Sequence, residues 1–331
     1  MINLCEKQTA AFVVPTGVGA SIGGFAGDAS SWARKFAKEM NLIVNPNVVN
    51  AACFSGITDN MMYVEGWTLN QFFRGNVNLK PSLENKIGII FDCAIPENIM
   101  NVHINTINAV KTVYGIEIAD IEITKEPCGV EFFLTESGIS SGSLNNPQTL
   151  LEAGKKLLKK GASALAVVTL FDDPDEDDGY SQGEAVDIVG GVEAIISHYL
   201  SSELFVPVAH APAFVDNEIS EEIVDPRASA EYITSTFLPC ILLGLQQAPQ
   251  LSEKSDNGLN CKDISALIIP YNCLGSSIVF DCIKNNVKVC AIKENSTVLN
   301  IDKNALNIQN SIIEFKDYNE CLEFLKNQQH L

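Results

Sequence analysis

Short apolar runs alternate along the chain with segments that carry apolar residues on one side only. Phe12–Val14, Ala162–Leu170 and Ile264–Pro270 are runs of the first kind, and Ala29–Met40 is a segment of the second kind. A continuous apolar run is typical of a strand buried on both faces of a parallel sheet, whereas a one-sided pattern is typical of a surface helix. We therefore predict an α/β fold that is Rossmann-like, with a largely parallel sheet or sheets and helices on both faces.

The length of 331 residues is compatible with one large α/β unit or with two lobes. We predict an N-terminal lobe of residues 1–145 and a C-terminal lobe of residues 146–331, with a single domain as the alternative. Asn146 and Pro147 have the types preferred at the N-cap and first position of a helix, so we expect a helix to start just after this boundary.

The most distinctive stretch follows the first apolar run and is rich in glycine. Gly17, Gly19 and Gly23 fit a variant of the dinucleotide-binding fingerprint, but the acidic residue expected after the second strand is missing, because Asn45–Asn47 stands there. Glycine lets a backbone approach a ligand closely, and the N–H groups of the following helix favour an anion. A tight structural turn is the alternative. The candidate ligand-binding residues here are Thr16, Gly17, Gly19, Ser21, Gly23 and Gly24.

Two further stretches have the composition of anion sites. Ser137–Ser143 is predicted to be a loop whose hydroxyl and backbone groups could hold an oxyanion, with Ser137, Ser140 and Ser141 as its candidates. Ser276 and Ser277 stand at the predicted start of a late helix, where free N–H groups favour an anion. A solvated loop is the alternative for the first stretch.

Four titratable residues are candidates for acid–base catalysis. Asp28 is the charged residue of the glycine-rich stretch, and Asp92 falls near the end of a strongly apolar strand, where α/β proteins gather catalytic groups. His198 and His210 lie in apolar surroundings near the ends of predicted elements, where imidazole could transfer a proton. Structural roles are the alternative, with Asp28 as a residue that begins or caps the following helix.

The charge balance restricts the classes of partner. With 22 basic and 41 acidic residues, the formal net charge of −19 argues against binding to nucleic acid or to an anionic membrane. The chain has neither a signal-peptide pattern at its start nor an apolar run of 18 residues, and its ten cysteines form no C-x-x-C pair. We therefore expect a cytoplasmic protein with reduced cysteines.

Residues 172–178 contain six acids, and their mutual repulsion would be relieved by water or by a cation. A Mg²⁺ or Ca²⁺ site is one interpretation, although the spacing is not that of an EF-hand loop. A solvated loop is the other interpretation. No further cofactor is indicated.

The stretch Val14–Asp28 resembles the opening signature of a cyanobacterial and plastid family known only as domain of unknown function three-three-two-six. Three later stretches are similar to that family as well, and with them the resemblance covers nearly the whole chain. They are Glu131–Ser143, Gly190–His198 followed by Val208–Pro212, and Leu274–Leu299. The resemblance implies a cyanobacterial-type cytoplasmic protein. It implies no activity, so no catalytic role can be transferred from it.

Our leading functional hypothesis is an enzyme that acts on a small anionic metabolite, carboxylated or phosphorylated, as an isomerase, lyase or transferase. A racemase that uses Cys53 or Cys128 is a variant of it. A non-catalytic regulatory protein that binds a metabolite is the second hypothesis, and an NAD(P)-dependent oxidoreductase is the third. Assembly into a homo-oligomer is left open.

Overall fold

A computed structural model describes residues 7–172, 179–216, 219–252 and 258–328. The helices are α1 Ser30–Glu39, α2 Pro46–Val49, α3 Gly66–Phe73, α4 Glu97–Tyr114, α5 Pro147–Lys159, α6 Gly190–Leu204, α7 Ser229–Tyr232, α8 Leu238–Gln246, α9 Ser277–Lys284 and α10 Tyr318–Gln328. The strands are β1 Thr9–Phe12, β2 Asn41–Val44, β3 Asn50–Ala51, β4 Phe54–Ser55, β5 Met61–Tyr63, β6 Asn78–Lys80, β7 Ile87–Phe91, β8 Ile118–Ile123, β9 Val130–Leu134, β10 Ser140–Leu144, β11 Ala164–Leu170, β12 Val208–Ala213, β13 Gln250–Ser252, β14 Ile264–Pro270, β15 Lys288–Ile292 and β16 Ile312–Phe315. Within the described ranges, no helix is both long and apolar enough to cross a membrane.

The larger sheet has six parallel strands in the order β16-β15-β14-β1-β2-β5. Counted along the chain, this is the 3-2-1-4-5-6 order of doubly wound dinucleotide-binding folds. The order reverses between β1 and β14, and in such folds ligands bind beyond the carboxyl ends of the strands at this reversal. The α/β class with parallel strands is therefore confirmed, and the glycine-rich stretch leaves β1 at the point of reversal.

The second sheet has four parallel strands in the order β12-β11-β7-β8. Its strands come from residues 87–213, whereas the larger sheet is assembled from segments before and after that range. Residue 145 lies inside the segment that builds the second sheet, between β10 and α5. The division between the two sheets therefore does not coincide with the predicted boundary, because the middle of the chain is inserted between two strands of the larger sheet.

Alternating side chains of the larger sheet enter two different cores. Ala10 and Phe12 of β1 pack in the core that also contains Phe36 of α1 and Tyr318 of α10. Ala11, on the opposite face of β1, packs in the core formed with α3 and α9. Helices thus cover both faces of this sheet, as the continuous apolar runs predicted.

Helix α8 joins the two sheets. It contacts β11 and β12 of the second sheet and also the separate pair of strands β3 and β4. Just after the helix, the Gln247 carbonyl accepts the N–H of Tyr63, which lies on β5 of the larger sheet, at 3.3 Å. Its buried residues point in several directions, as expected for a helix between two layers. Gly244 is needed there, because an added Cβ would lie 2.7 Å from the Tyr63 ring.

Buried asparagines tie down the loops at the carboxyl edge of the larger sheet. Asn45, after β2, bonds both backbone groups of Val14, accepting its N–H at 3.0 Å and donating to its carbonyl at 2.7 Å. Asn295, after β15, bonds the N–H and carbonyl of Ile22 and donates to the Tyr318 hydroxyl at 2.8 Å. The glycine-rich stretch is therefore held to its neighbours by side-chain amides.

The stretch Ser137–Ser143, predicted as a loop, is partly a strand. Strands β9 and β10 form an antiparallel hairpin whose register pairs Ser140 with Leu134 and Ser141 with Phe133. Gly138 takes a positive φ of 75° in the turn, which lets the chain reverse. The prediction erred because serine and glycine have low strand propensity, whereas pairing with the apolar strand β9 decides the conformation.

The Asn295→Ala variant tests the amide ties. The substitution leaves the buried Tyr318 hydroxyl and the Ile22 backbone groups without their bonds, so we expect the free energy of unfolding to fall by roughly 2–4 kcal/mol. Chemical denaturation followed by circular dichroism measures this change. Asn304→Ala is the control, because Asn304 is exposed and its loss should change stability by less than about 0.5 kcal/mol. Equal effects of the two substitutions would contradict this account.

Candidate functional site

The glycines of the stretch after β1 are surrounded by protein. An added Cβ at Gly17 would lie 2.8 Å from the Cβ of Ser140, and one at Gly24 would lie 2.1 Å from the Ala20 carbonyl oxygen. At Gly23 it would lie 2.9 Å from the Val14 side chain, and at Gly19 2.8 Å from Val186. These glycines thus permit close packing within the chain, as the structural alternative for this stretch requires.

The hydroxyl groups predicted to bind a ligand have protein partners. Thr16 donates to the Asn47 side chain at 3.3 Å, and Ser21 lies 3.3 Å from the Asn295 side-chain oxygen. Ser137 is exposed and bonds the Thr135 hydroxyl at 3.0 Å.

The two serines at the start of α9 also bond protein groups. Ser276 caps α9 by accepting the Ile278 N–H, while Ser277 donates to Asn70 of α3 at 2.8 Å. These contacts stabilise α9 and its packing against α3.

The structure brings two of the predicted stretches together at Ser140. The Ser140 N–H donates to the Gly17 carbonyl at 2.9 Å, and its hydroxyl donates to the Ile188 carbonyl at 2.6 Å. The same hydroxyl accepts the Gly191 N–H at 2.9 Å. Ser140 therefore connects the glycine-rich stretch, the hairpin and the start of α6.

Four carboxyl groups approach one another next to this junction, and we call them the acidic cluster: Asp28, Asp187, Glu193 and Glu231. Asp28 comes from the glycine-rich stretch, Asp187 precedes α6, Glu193 lies in its first turn, and Glu231 belongs to α7. All four side chains are half-buried. The charges of Asp28, Asp187 and Glu231 act on Tyr180, whose hydroxyl donates to Glu231 at 2.8 Å.

Removal from water raises the pKa of every member of the acidic cluster. It raises the pKa of Glu193 to about 8. Burial, followed by the charge of Glu193, raises the pKa of Asp187 to about 7, and burial with the charge of Asp187 raises that of Glu231 to about 8. Burial raises the pKa of Asp28 to about 6, against the Gly23 N–H that donates to it at 2.7 Å. The cluster therefore exchanges protons near neutral pH.

Backbone N–H groups orient the individual carboxyls, and the charge of one arginine acts on Asp28. Asp187 accepts the N–H groups of Val189 and Gly190 at the start of α6, and Glu231 accepts the Ala26 N–H at 2.7 Å. Arg227 lies 4.7 Å above the Phe25 ring, and its charge opposes the rise in the pKa of Asp28. Each carboxyl is thus held in place by a different element.

His210 contacts the acidic cluster from the second sheet. Its Nδ1 lies 3.1 Å from Oε1 of Glu193 and its Nε2 lies 2.7 Å from the Thr169 hydroxyl. Its side chain is fully buried, whereas 25% of the Glu193 side chain is exposed. Burial lowers the pKa of His210 to about 3, so the ring is neutral at physiological pH.

The other two predicted acid–base residues lie outside the acidic cluster. Asp92 is buried after β7 and accepts the backbone N–H groups of Ala94 and Cys128, which anchors two loops. His198 of α6 has Nε2 at 3.7 Å from Oε2 of Glu65. Burial lowers the pKa of His198 to about 4 and raises that of Glu65 to about 7, so at neutral pH the imidazole is uncharged while Glu65 is only partly ionised.

Among the residues that the structure describes, no group of three or more His, Cys, Asp and Glu side chains has the arrangement of a metal site. The acidic stretch of residues 172–178 was interpreted as a possible cation site. Its residues 173–178 lie outside the described residues. That interpretation stays a prediction.

Sequence reasoning named Asp28 and His210 as acid–base candidates but did not name the carboxyls that lie beside them. Glu193 lies three residues after Gly190, the glycine that indicated the start of a helix. An acidic residue in the first turn of a helix is normally a helix-stabilising feature. Asp187 precedes the same helix and has the appearance of a capping residue. For Glu231 the sequence contains no signal, because only the tertiary structure brings it to the cluster.

The fold and the cluster define an α/β protein with a doubly wound six-stranded sheet and a group of half-buried carboxyls beside it. The chain belongs to the family described as "Protein of unknown function (DUF3326)", whose model matches residues 9–330. It is 37% identical over 279 residues to a Synechococcus protein named as an uncharacterised lipoprotein, and the match covers 82% of this chain and 77% of that protein. No solved structure matches the chain.

The raised pKa values predict how stability depends on pH. Carboxyls that keep their protons when folded but lose them when unfolded stabilise the fold at low pH, and this contribution is lost as pH rises through the folded pKa. Between about pH 6.5 and 8, we expect the free energy of unfolding to fall by roughly 1.4 kcal/mol per pH unit for each proton retained. The buried histidines add little in this range, because their unfolded value is 6.5.

Denaturation curves at several pH values measure this slope. Glu193→Gln and Glu231→Gln should each flatten it, because the amide carries no titrating proton. Glu323→Gln, which replaces a largely exposed carboxyl, should leave the slope unchanged. A stability that is constant or rises over this range would refute the expected proton retention.

Proposed function

We propose that this protein is an enzyme that transfers a proton to or from a small molecule bound at the acidic cluster, with Glu193 as the general acid or base. The observation that carries the proposal is the convergence of four half-buried carboxyls with pKa values between about 6 and 8. A group that transfers protons works best when its pKa lies near the operating pH, and perturbed carboxyls of this kind cluster at active sites.

Glu193 is the strongest candidate within the cluster. It combines the raised pKa of about 8 with a partly exposed side chain, so a ligand could reach it. It is also fixed by a second side chain, because His210 lies 3.1 Å from Oε1. Asp187, at a pKa of about 7, is suited to hold or return a proton during the same cycle.

The substrate that this arrangement favours is a small carboxylated metabolite, and the reaction is an isomerisation or an elimination. Protonated carboxyls can donate hydrogen bonds to a ligand carboxylate. Arg227 is paired with Asp225 at 2.9 Å, so its charge is largely neutralised within the protein. A phosphorylated substrate is less favoured, because its second negative charge would face the carboxylates of the cluster.

The strand order of the larger sheet supports a nicotinamide cofactor. The packing of other protein groups against the glycines of the glycine-rich stretch opposes it, because no space is left there for a pyrophosphate. The place of the ribose-binding acid is taken by Asn45, whose side chain is already bonded to Val14. The oxidoreductase therefore remains a weaker alternative. A cytoplasmic location also stays a proposal. The Synechococcus relative carries the name lipoprotein, which does not agree with that location.

Solvent exchange in D₂O tests the proposal without knowledge of the product. The protein is incubated with a panel of small carboxylic acids, and proton NMR follows the loss of C–H signals. We expect at least one compound to exchange, and Glu193→Gln to slow that exchange about 100-fold or more. Glu117→Gln is the matched control, because Glu117 is an exposed surface residue paired with Lys86.

The outcomes separate the hypotheses. Exchange that survives Glu193→Gln would refute the assigned role. A compound that raises the melting temperature but neither exchanges nor is consumed would favour the non-catalytic binding protein. A rise in the melting temperature with NAD or NADP at millimolar concentration would favour the oxidoreductase hypothesis.

A further inference from the structure

Three side chains from different elements form a continuous hydrogen-bonded chain. Thr169 lies on β11 and His210 on the neighbouring strand β12, and the hydroxyl of Thr169 lies 2.7 Å from Nε2. The other ring nitrogen of His210 lies 3.1 Å from Oε1 of Glu193. The ring also stacks on Phe171, at 5.2 Å between centroids and 18° between planes. Thr169 and the His210 side chain are fully buried.

The partners of His210 leave neither ring nitrogen for a substrate. A neutral imidazole has one N–H donor and one acceptor nitrogen, whereas an ionised carboxylate can only accept. Because a hydroxyl can donate or accept, one arrangement satisfies all three groups when Glu193 is ionised: Thr169 donates to Nε2 and the Nδ1–H donates to Oε1. His210 therefore acts through Glu193 and does not itself touch the reacting molecule.

We infer that Thr169 and His210 are positioning residues: the Thr169 hydroxyl donates to Nε2 and fixes the ring, and the Nδ1–H of His210 holds Oε1 of Glu193 so that proton exchange takes place at Oε2. When Glu193 takes up a proton on Oε2, Oε1 still accepts the Nδ1–H, so no group has to turn during the cycle. The inference rests on the proposed role of Glu193, but its first test does not depend on any reaction.

Other titratable groups face Glu193 and contribute to its behaviour. Asp187 precedes the same helix, Glu231 approaches from α7, Tyr63 from β5 and Cys240 from α8. These groups act on Glu193 through their charge, whereas His210 places a ring nitrogen 3.1 Å from Oε1.

Nitrogen-15 NMR of histidine-labelled protein tests the tautomer directly. The spectrum of His210→Asn, which lacks one signal pair, assigns the ring. We expect His210 to carry its proton on Nδ1 and to stay singly protonated from about pH 5 to 9, because its pKa is lowered to about 3. A proton on Nε2, or a second protonation in this range, would overturn the inference and leave the proposed function standing.

Thr169→Val and Thr169→Ser form a matched pair for the second test. Valine has the shape of threonine without the hydroxyl, so the buried Nε2 loses its donor. A donor at Nε2 polarises the ring and strengthens the Nδ1–H as a donor to Oε1. Its loss weakens the bond that stabilises the ionised carboxylate, so the midpoint of the Glu193 titration should rise by about one pH unit, a tenfold change. Serine keeps the hydroxyl and should behave like the wild type.

Carboxyl carbon-13 NMR measures that midpoint, with Glu193→Gln to identify the signal. If the midpoint of the Glu193 titration in Thr169→Val equals that of the wild type, Thr169 is not a positioning residue. If the valine variant does not fold, the tautomer in the wild-type protein decides the question. Failure of the proposed function would appear separately, as C–H exchange that does not depend on Glu193.

Discussion

Ser140 lies so close to Gly17 and Gly191 that neither position has room for a side chain. Its N–H and hydroxyl bond the glycine-rich stretch and the start of α6, so one residue of the hairpin joins a loop of the larger sheet to a helix of the second sheet. The placement of Asp28 opposite the first turn of α6 depends on this contact, since these groups come from segments about 160 residues apart. The hydrogen bonds are ordinary, and it is the absence of a Cβ at two positions that lets them form.

The acidic cluster lowers the stability of the fold, but it keeps carboxyls in the protonation states that a proton-transfer site needs. Carboxyls that are partly removed from water and lie near one another resist ionisation, so they remain protonated at pH values where surface carboxyls are charged. Apolar side chains at the positions of these carboxyls would stabilise the fold at least as well. The full burial of His210, held between Thr169 and Glu193, gives one of these acids a fixed orientation, which a proton-transfer group requires.

The strand order of the larger sheet is shared with dinucleotide-binding proteins, yet the loop that would bind the pyrophosphate is packed against this chain's own hairpin and strand. Gly17 and Gly23 serve contacts with Ser140 and Val14, where a cofactor would need the space. A fold of this class therefore indicates where a site can form and not what it binds. Here the best-supported site lies beside the point of reversal, where the inserted middle of the chain meets the glycine-rich stretch.

The sequence by itself determined the α/β class, the strands that form the centres of both sheets, and helices such as α5, which begins at Pro147 and ends before Gly161 as its flanking residues indicate. It also singled out Asp28 and His210, because an acid among glycines and a histidine in an apolar strand stand out locally. Only the tertiary structure decided that residues 87–213 form an inserted sheet and that Asp187, Glu193 and Glu231 meet there. The reason is physical: periodicity and capping act over a few residues, whereas the raised pKa values arise from burial and from charges that approach through space.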